Sequence, residues 1–341
     1  MNISTIWQTA CGHPTFIARV REAIRFSDIE WEDWQLLDVW YLLVFFRNSI
    51  HMINNVAISS AAGVFEITRQ HGCVARKSIA ASGPQMYFLS DDGVFTLQQG
   101  LDPAKGLGVA ISKVSGEAVP LSRPIQDQFK EVNYAHADKA VGIVFDNKYY
   151  LAVPTGSSTT NNKVFIYDIL NTAWTSVDSF PAGFAIDDFV TVLHGSNPQT
   201  RRLFAVSDKG WHLVEEGTTD ITGTVGSAST TSTAISAKLK TRSFTLGNID
   251  VKRWRRGQLG CEVSNGDQFT IKVNTIDPDR TNTVHTENAT SSEEKLIRFG
   301  SGRARGYAAS VEVDVTAGRP SFRHVSLEAI AGGANARREI A

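Results

Sequence analysis

The chain has almost no excess charge: 34 lysines and arginines face 35 aspartates and glutamates across 341 residues, for a formal net charge of −1. That balance removes any global attraction to nucleic acid or to an anionic membrane, so a charged partner has to be met by a local patch. Cysteine is scarce too. Cys11, Cys73 and Cys261 lie too far apart for a metal knuckle, and an odd number cannot close a disulfide framework, so reduced, buried, structural thiols are expected. No stretch reaches the roughly 18 uninterrupted apolar residues of a membrane span. The most apolar segment, 35–46, is short and bounded by Asp33 and Arg47, which suits a buried strand. The first residues lack the basic-then-apolar order of a secretion signal, so folding in a cytoplasm and no membrane insertion are expected. Helix signals are nearly missing as well.

What the chain does have is repetition. Four stretches follow one design, an apolar strand, a tight polar turn and a second apolar strand: residues 40–53 around Arg47-Asn48, 86–97 around Ser90-Asp91-Asp92-Gly93, 141–153 around Asp146-Asn147, and 203–214 around Ser207-Asp208-Lys209-Gly210. Serine and aspartate cap their own backbone ahead of a glycine that accepts positive φ, and the flanks are rich in β-branched and aromatic residues. Hairpins recurring every few tens of residues imply small sheets that bury their apolar faces only against one another, as in a β-propeller. Residues 142–145, 149–153, 163–167 and 174–177 read as one complete four-stranded blade with an exposed tip at 154–162. At about 45 residues per blade, the part before Glu216 would hold roughly five blades, complete or incomplete, although four hairpins stand out, and the propeller domain is expected at 31–216. Trp31, Trp34 and Trp40 would wedge between blades. Residues 1–30 stay unassigned, because the apolar positions of 17–26 fit helical and strand spacing equally well.

Near Gly217 the texture changes. Residues 217–236 are dominated by threonine, serine, glycine and alanine and read as a linker or an edge strand. Then 237–341 alternates again, with strands expected at 238–244, 257–263, 268–273, 295–299, 307–315 and 321–329. Their turns at Asn265-Gly266-Asp267, Asp277-Pro278-Asp279 and Gly318-Arg319-Pro320 point to a β-sandwich. The fold class expected is therefore all-β, a propeller followed by a β-sandwich-like domain.

Catalytic patterns are missing: no phosphate-binding loop, nucleophile elbow, zinc-type histidine pair or EF-hand ladder is present. The Ser-Asp turns do not match the Ser-x-Asp-x-Gly-x-Thr-Trp box of sialidases, because serine and aspartate are adjacent and no threonine-tryptophan pair follows. No catalytic, cofactor or metal residue is assigned, and a glycoside hydrolase is the weakest of three readings. The charged feature above background is Lys252-Arg253-Trp254-Arg255-Arg256, reinforced by Lys238, Lys240, Arg242, Arg303, Arg305, Arg319 and Arg323. A basic run with an aromatic inside it could track a phosphate backbone without reading bases, or meet an acidic subunit. These five residues are the candidates for a channel or subunit contact. Thr155, Ser157, Thr159, Asn161 and Asn162 on the polar tip are the candidates for a rim-loop contact.

Two segments, Gly72-Cys73-Val74-Ala75-Arg76-Lys77-Ser78-Ile79 and Met86-Tyr87-Phe88-Leu89-Ser90-Asp91-Asp92-Gly93-Val94, resemble a recurring part of tail proteins from tailed bacteriophages. So do Pro120-Leu121-Ser122, Tyr149-Tyr150-Leu151-Ala152-Val153-Pro154, Asn161-Asn162 and the turn from Tyr167-Asp168 to Trp174. The similarity covers roughly 31–177, and more loosely 302–307 and 318–321. It implies a virion structural protein of the nozzle or hub below the portal, of the packaged-DNA stabilisation type. Its expected partners are further copies in a ring, taken as a hexamer, other tail proteins such as an adaptor, fibre or needle, and passing DNA by non-specific contact. Its place would be the virion tail, after synthesis in the host bacterial cytoplasm. The alternative reading is a receptor- or glycan-binding propeller at the distal tail or baseplate.

Overall fold

The computed structural model describes residues 16–20, 41–54, 63–102, 106–111, 113–114, 117–180, 184–195, 200–222, 231–247, 250–302 and 304–331. Trp31, Trp34, Trp40 and Cys11 lie outside them. Among the described residues the regular secondary structure is nearly all strand, with one α-helix of four residues, Gln126–Phe129. Among these residues no helix is long and apolar enough to cross a membrane. Two compact units divide between Val214 and Glu215, close to the change of composition at Gly217.

The first unit is built of propeller blades, each an antiparallel meander in chain order. Sheet one joins β1 (Phe16–Val20), β2 (Tyr41–Phe45), β3 (Ile50–Asn54) and β4 (Gly63–Thr68). Part of the ambiguous N-terminal stretch is thus strand, paired along β2 from Phe16 opposite Phe45 to Val20 opposite Tyr41. Sheet two holds β5 (Ala80–Ser82), β6 (Gln85–Ser90), β7 (Gly93–Asp102) and β8 (Gly106–Ile111), followed by the short pair β9 (Lys113–Val114) and β10 (Glu117–Ala118). Sheet three is β11 (Val141–Phe145), β12 (Lys148–Val153), β13 (Lys163–Asp168) and β14 (Ala173–Ser179), and sheet four is β15 (Ile186–His194), β16 (Thr200–Ser207) and β17 (Gly210–Leu213). The described residues therefore carry four blades, three of them four-stranded. All four hairpins read from the sequence are present. Asp146 and Asn147 both take positive φ, 46° and 58°, the hairpin geometry that matches strand twist and that these two residue types tolerate.

Strand alternation explains why the central strands are apolar without a break. On β6, Tyr87 and Leu89 join a core with Tyr149, Leu151, Val153 and Phe165 of sheet three, whereas Phe88 joins Leu43, Phe45, Ile50 and Phe95 on the side of sheet one. On β12 the intervening residues, Tyr150 and Ala152, pack instead with Ile186, Leu203 and Ala205 of sheet four. Each middle sheet is buried on both faces, and each large side chain so buried contributes about 1.5–3 kcal/mol. The first strands of sheets two, three and four, β5, β11 and β15, run next to one another, as blades stacked about their inner strands require.

The second unit begins with the hairpin β18 (Thr219–Thr222) and β19 (Thr231–Ala234), which occupies the serine- and threonine-rich stretch. Beyond it, two sheets enclose one core. One is β20 (Ala237–Lys240), β26 (Ala308–Ala317), β22 (Gln268–Ile276) and β23 (Arg280–Asn288), in that spatial order. The other centres on β21 (Lys252–Val263), flanked on one side by β24 (Glu293–Gly300) and β25 (Arg305–Gly306), and on the other by β27 (Ser321–Ala331). Leu259, Cys261 and Val263 of β21 meet Phe269, Ile271 and Val273 of β22 and Val311 and Val313 of β26 between them, which makes a β-sandwich.

Both described thiols are buried and free. Burial pushes the Cys73 thiol up to about 11, against the opposing effect of its hydrogen bonds with Ser78 and the Ala75 backbone, and burial also raises Cys261. Neither is a thiolate near neutrality, and neither is reachable. In a Cys11→Ser variant, a thiol reagent at about pH 8 is expected to label no cysteine in the native chain and two after denaturation. Fast native labelling of either would contradict this packing.

Candidate contact surfaces

The basic run lies inside a strand. The sequence reading started that strand at Gly257, but β21 begins at Lys252, and period-two alternation then sends the run's residues to opposite faces. Lys252 is 2% exposed and Trp254 1%, so neither is a channel or subunit contact. The Lys252 ammonium donates to the carbonyls of Asp250 and Tyr307, both at 3.0 Å, and sits 5.0 Å over the Tyr307 ring. Trp254 fills the sandwich core, its indole N–H directed at the Gly306 carbonyl 3.4 Å away. Arg253, Arg255 and Arg256 point to solvent.

Two consecutive outward arginines need a departure from alternation, and a β-bulge supplies it. Opposite β27, Trp254 pairs with Ala329 and Arg256 with Glu328, leaving Arg255 as the extra residue. Gly257 then returns inward, where an added Cβ would lie 2.6 Å from the Phe299 ring. Arg256 is ion-paired with Glu328. The reinforcing cations go to different places. Lys238 bridges Glu312 and Asp314, Arg323 bridges Glu262 and Glu294, and Arg319 donates to the Glu215 carbonyl. Lys240 and Arg242 are exposed along the opposite sheet, Arg305 stands beside Arg253, and Arg303 lies outside the described residues.

The polar tip is also divided. Thr155 and Asn161 are buried, and Asn161 donates at 2.8 Å to the carbonyls of both Lys139 and Ile186. Asn162 accepts from the Thr155 N–H at 2.8 Å and from its hydroxyl at 3.1 Å. These three residues brace the loop rather than contact a partner, because a turn leaving a buried strand has backbone groups that must be satisfied from within. Ser157 and Thr159 remain exposed on the rim.

The segments resembling tail proteins meet in space. The Ser78 hydroxyl donates to the Ala75 carbonyl at 2.7 Å and accepts from the Leu89 N–H at 3.0 Å, while the Ser78 carbonyl accepts from the Tyr149 hydroxyl at 2.7 Å. Tyr149, fully buried and with its phenol pushed well above its usual range by burial, stacks on Tyr87 at 5.2 Å. Ser122 accepts from the Val94 N–H at 3.1 Å, Leu121 N–H donates to the Val94 carbonyl at 2.7 Å, and the Trp174 indole donates to the Leu121 carbonyl at 2.9 Å. Sheets two and three are pinned together by these residues.

Sequence reasoning missed the outer face of the β20–β26–β22 sheet. Glu312 and Asp314 form an acidic row on β26 between Lys238 on β20 and Lys272 on β22. A shallow polar cleft of about 450 Å³ opens beside it, lined among others by Lys240, Asn274, Arg280 and Glu312. The alternating charges of 312 and 314 were the available signal. Among the described residues, no group of histidine, cysteine and acid side chains could hold a metal ion.

No protein-family model matches the chain, and no curated protein matches it. Solved structures do match, weakly. One is an exo-β-1,3-galactanase from Phanerochaete chrysosporium with β-1,3-galactotriose, at TM-score 0.27 and 10% identity over 85% of this chain and 79% of that one. Another is a glycoside hydrolase family 43 arabinoxylan arabinofuranohydrolase from Bacillus subtilis in complex with cellotetraose, at TM-score 0.22 and 10% identity over 91% and 78%. A 2S albumin seed protein from Dolichos aligns at TM-score 0.23 and 11% identity over 58% of this chain and 89% of that one. Overlaps this loose carry no functional argument.

Proposed function

We propose that this chain is a structural component of a bacteriophage tail, a nozzle, hub or adaptor below the portal that forms a ring of copies around the DNA channel. The observation that supports this reading is where the tail-like segments lie. Residues that carry the resemblance, Ser78, Tyr87, Leu121, Ser122, Tyr149 and Trp174, are the ones whose hydrogen bonds and ring contacts pin one blade to the next. A resemblance carried by blade-to-blade packing is one of scaffold, and a stiff β scaffold suits a conduit wall. Mass spectrometry of virions purified from cells that carry this reading frame tests it. The chain should be present, and a particle reconstruction should place it on the tail axis. Its absence from virions would end the reading.

One observation favours the second reading, a receptor- or glycan-binding propeller. Trp211 on β17 is 57% exposed, a stacking platform of the kind sugar rings use. Glycan-array binding lost in Trp211→Ala, with the chain at the distal tip of the particle, would favour it over the axial role.

A further inference from the structure

We infer that the outer face of the β24–β21–β27 sheet binds the phosphodiester backbone of nucleic acid, through Arg253, Arg255, Arg298 and Arg305, with Arg256 beside them. This residue set is not the sequence run. Lys252 and Trp254 drop out of it, and two arginines from other strands join.

The register assembles the patch. Arg305 on β25 is paired directly with Arg253 on β21, at the roughly 4.5–5.5 Å Cα separation of opposed strand residues. The bulge adds Arg255 and Arg256 to the same face, and Arg298 stands opposite Gln258, the next outward position. All five arginines are exposed. Like charges directly opposite one another destabilise a sheet. One acid, Glu328, lies among them, and it is bonded by Arg256. Among the described residues no ion pair joins Arg253, Arg255, Arg298 or Arg305 to a carboxylate.

At the other end of this sheet every named cation is ion-paired, which makes the contrast informative. At its other end Glu262 and Glu294 share Arg323, and Lys295 pairs with Glu287 and Glu293. The hydrogen bond from Lys295 holds the carboxyl of Glu287, on β23 of the facing sheet, below its usual range, so the cations of that end are already engaged from within. The arginine end is left to be neutralised from outside.

Guanidinium forks fit both phosphate and carboxylate. The patch favours phosphate because protein interfaces draw their affinity from desolvated aromatic and apolar anchors, and here the run's aromatic is turned into the core. The exposed apolar side chains around it, Val251, Leu296 and Ile330, are aliphatic and about half exposed, at 48%, 47% and 48%, and none is aromatic. Binding to a phosphodiester chain needs no such anchor and reads no sequence.

The test uses the full chain and fluorescence anisotropy with a scrambled duplex of about 30 base pairs, a single strand of the same length, and inorganic phosphate. Wild type should bind duplex or single strand irrespective of sequence, weakening on the order of 100-fold between about 50 and 200 mM salt if four arginines meet phosphates. The variant Arg253→Gln/Arg255→Gln/Arg298→Gln/Arg305→Gln should keep its thermal transitions and lower the log–log salt slope by about 0.9 per arginine removed. Lys240→Gln/Arg242→Gln, on the opposite sheet, should bind as wild type does. The inference is overturned if wild type binds neither strand form, if the quadruple variant binds unchanged, or if the Lys240 and Arg242 changes cost as much per charge. Displacement of the strand by polyglutamate at equal charge would overturn it in favour of an acidic protein partner. Nucleic-acid binding by a chain missing from virions would remove the tail assignment and leave the patch in place.

Discussion

Replacing Gly72 by alanine is expected to cost the propeller unit about 3 kcal/mol, at the upper end of what overpacking does. The added Cβ would lie 2.0 Å from the Phe46 carbonyl oxygen and 2.4 Å from the carbonyl carbon and oxygen of Arg47. All three atoms are backbone. A side chain could swing aside, but the turn between β2 and β3 is fixed here by the Cys73 N–H donating to the same Phe46 carbonyl at 2.9 Å and by Phe46 N–H donating to Ser49 at 2.8 Å. Either that turn moves, opening the core around Phe45 and Cys73, or the segment leading into sheet two does. Calorimetry should show the first unit's transition falling by about 6–12 °C. Gly83 provides the contrast. It has φ of +53° and nothing within 4 Å of an added Cβ, so Gly83→Ala should cost only the left-handed strain, about 1–2 kcal/mol. Equal costs at the two sites would show that sheets one and two do not approach as closely as described.

Gly72 also marks the limit of what could be read in advance. The hairpins were legible because each is local: Ser-Asp and Asp-Asn turns and runs such as residues 149–153 carry their signal within a dozen residues. Sheet three was readable strand by strand for that reason. β23 was not, because TNTVHTEN is a polar edge strand whose main large apolar residue is Val284, and its place is set by pairing with β22 and not by its own pattern. The close approach at Gly72 and the docking of Ser122 on Val94 are contacts between segments, with no local signature at either end. The candidate surfaces were half legible for a related reason. Composition located the arginines, but the start of β21 and the bulge at Arg255 decided which of them face outward, and neither is visible without the partner strand. In the rim loop, Asn161 and Thr155 were read as exposed because they are polar, whereas the Asn161 amide serves two backbone carbonyls and the Thr155 hydroxyl donates to Asn162.

Within the basic run, neighbouring residues should therefore separate cleanly by phenotype. Trp254→Ala removes a side chain that is 1% exposed and packed in the sandwich core, and the expected loss is about 3–5 kcal/mol, enough to lower the second unit's transition by more than about 10 °C. Trp254→Phe keeps most of the ring volume and gives up a long hydrogen bond of 3.4 Å, so its cost should be nearer 1–2 kcal/mol. Arg253→Gln and Arg255→Gln, one residue to either side, should leave that transition within about 0.5 kcal/mol, and relief of the Arg253–Arg305 opposition could move it upward. A contiguous surface run predicts the reverse: a small effect of Trp254→Ala on stability and a large one on anion binding. Thermal unfolding of the four variants, read beside their salt-dependent nucleic-acid binding, distinguishes a strand with two faces from a loop with one. If Trp254→Ala unfolds no earlier than wild type, β21 does not enter the sandwich at Lys252, and the arginine face assembled by its register does not exist.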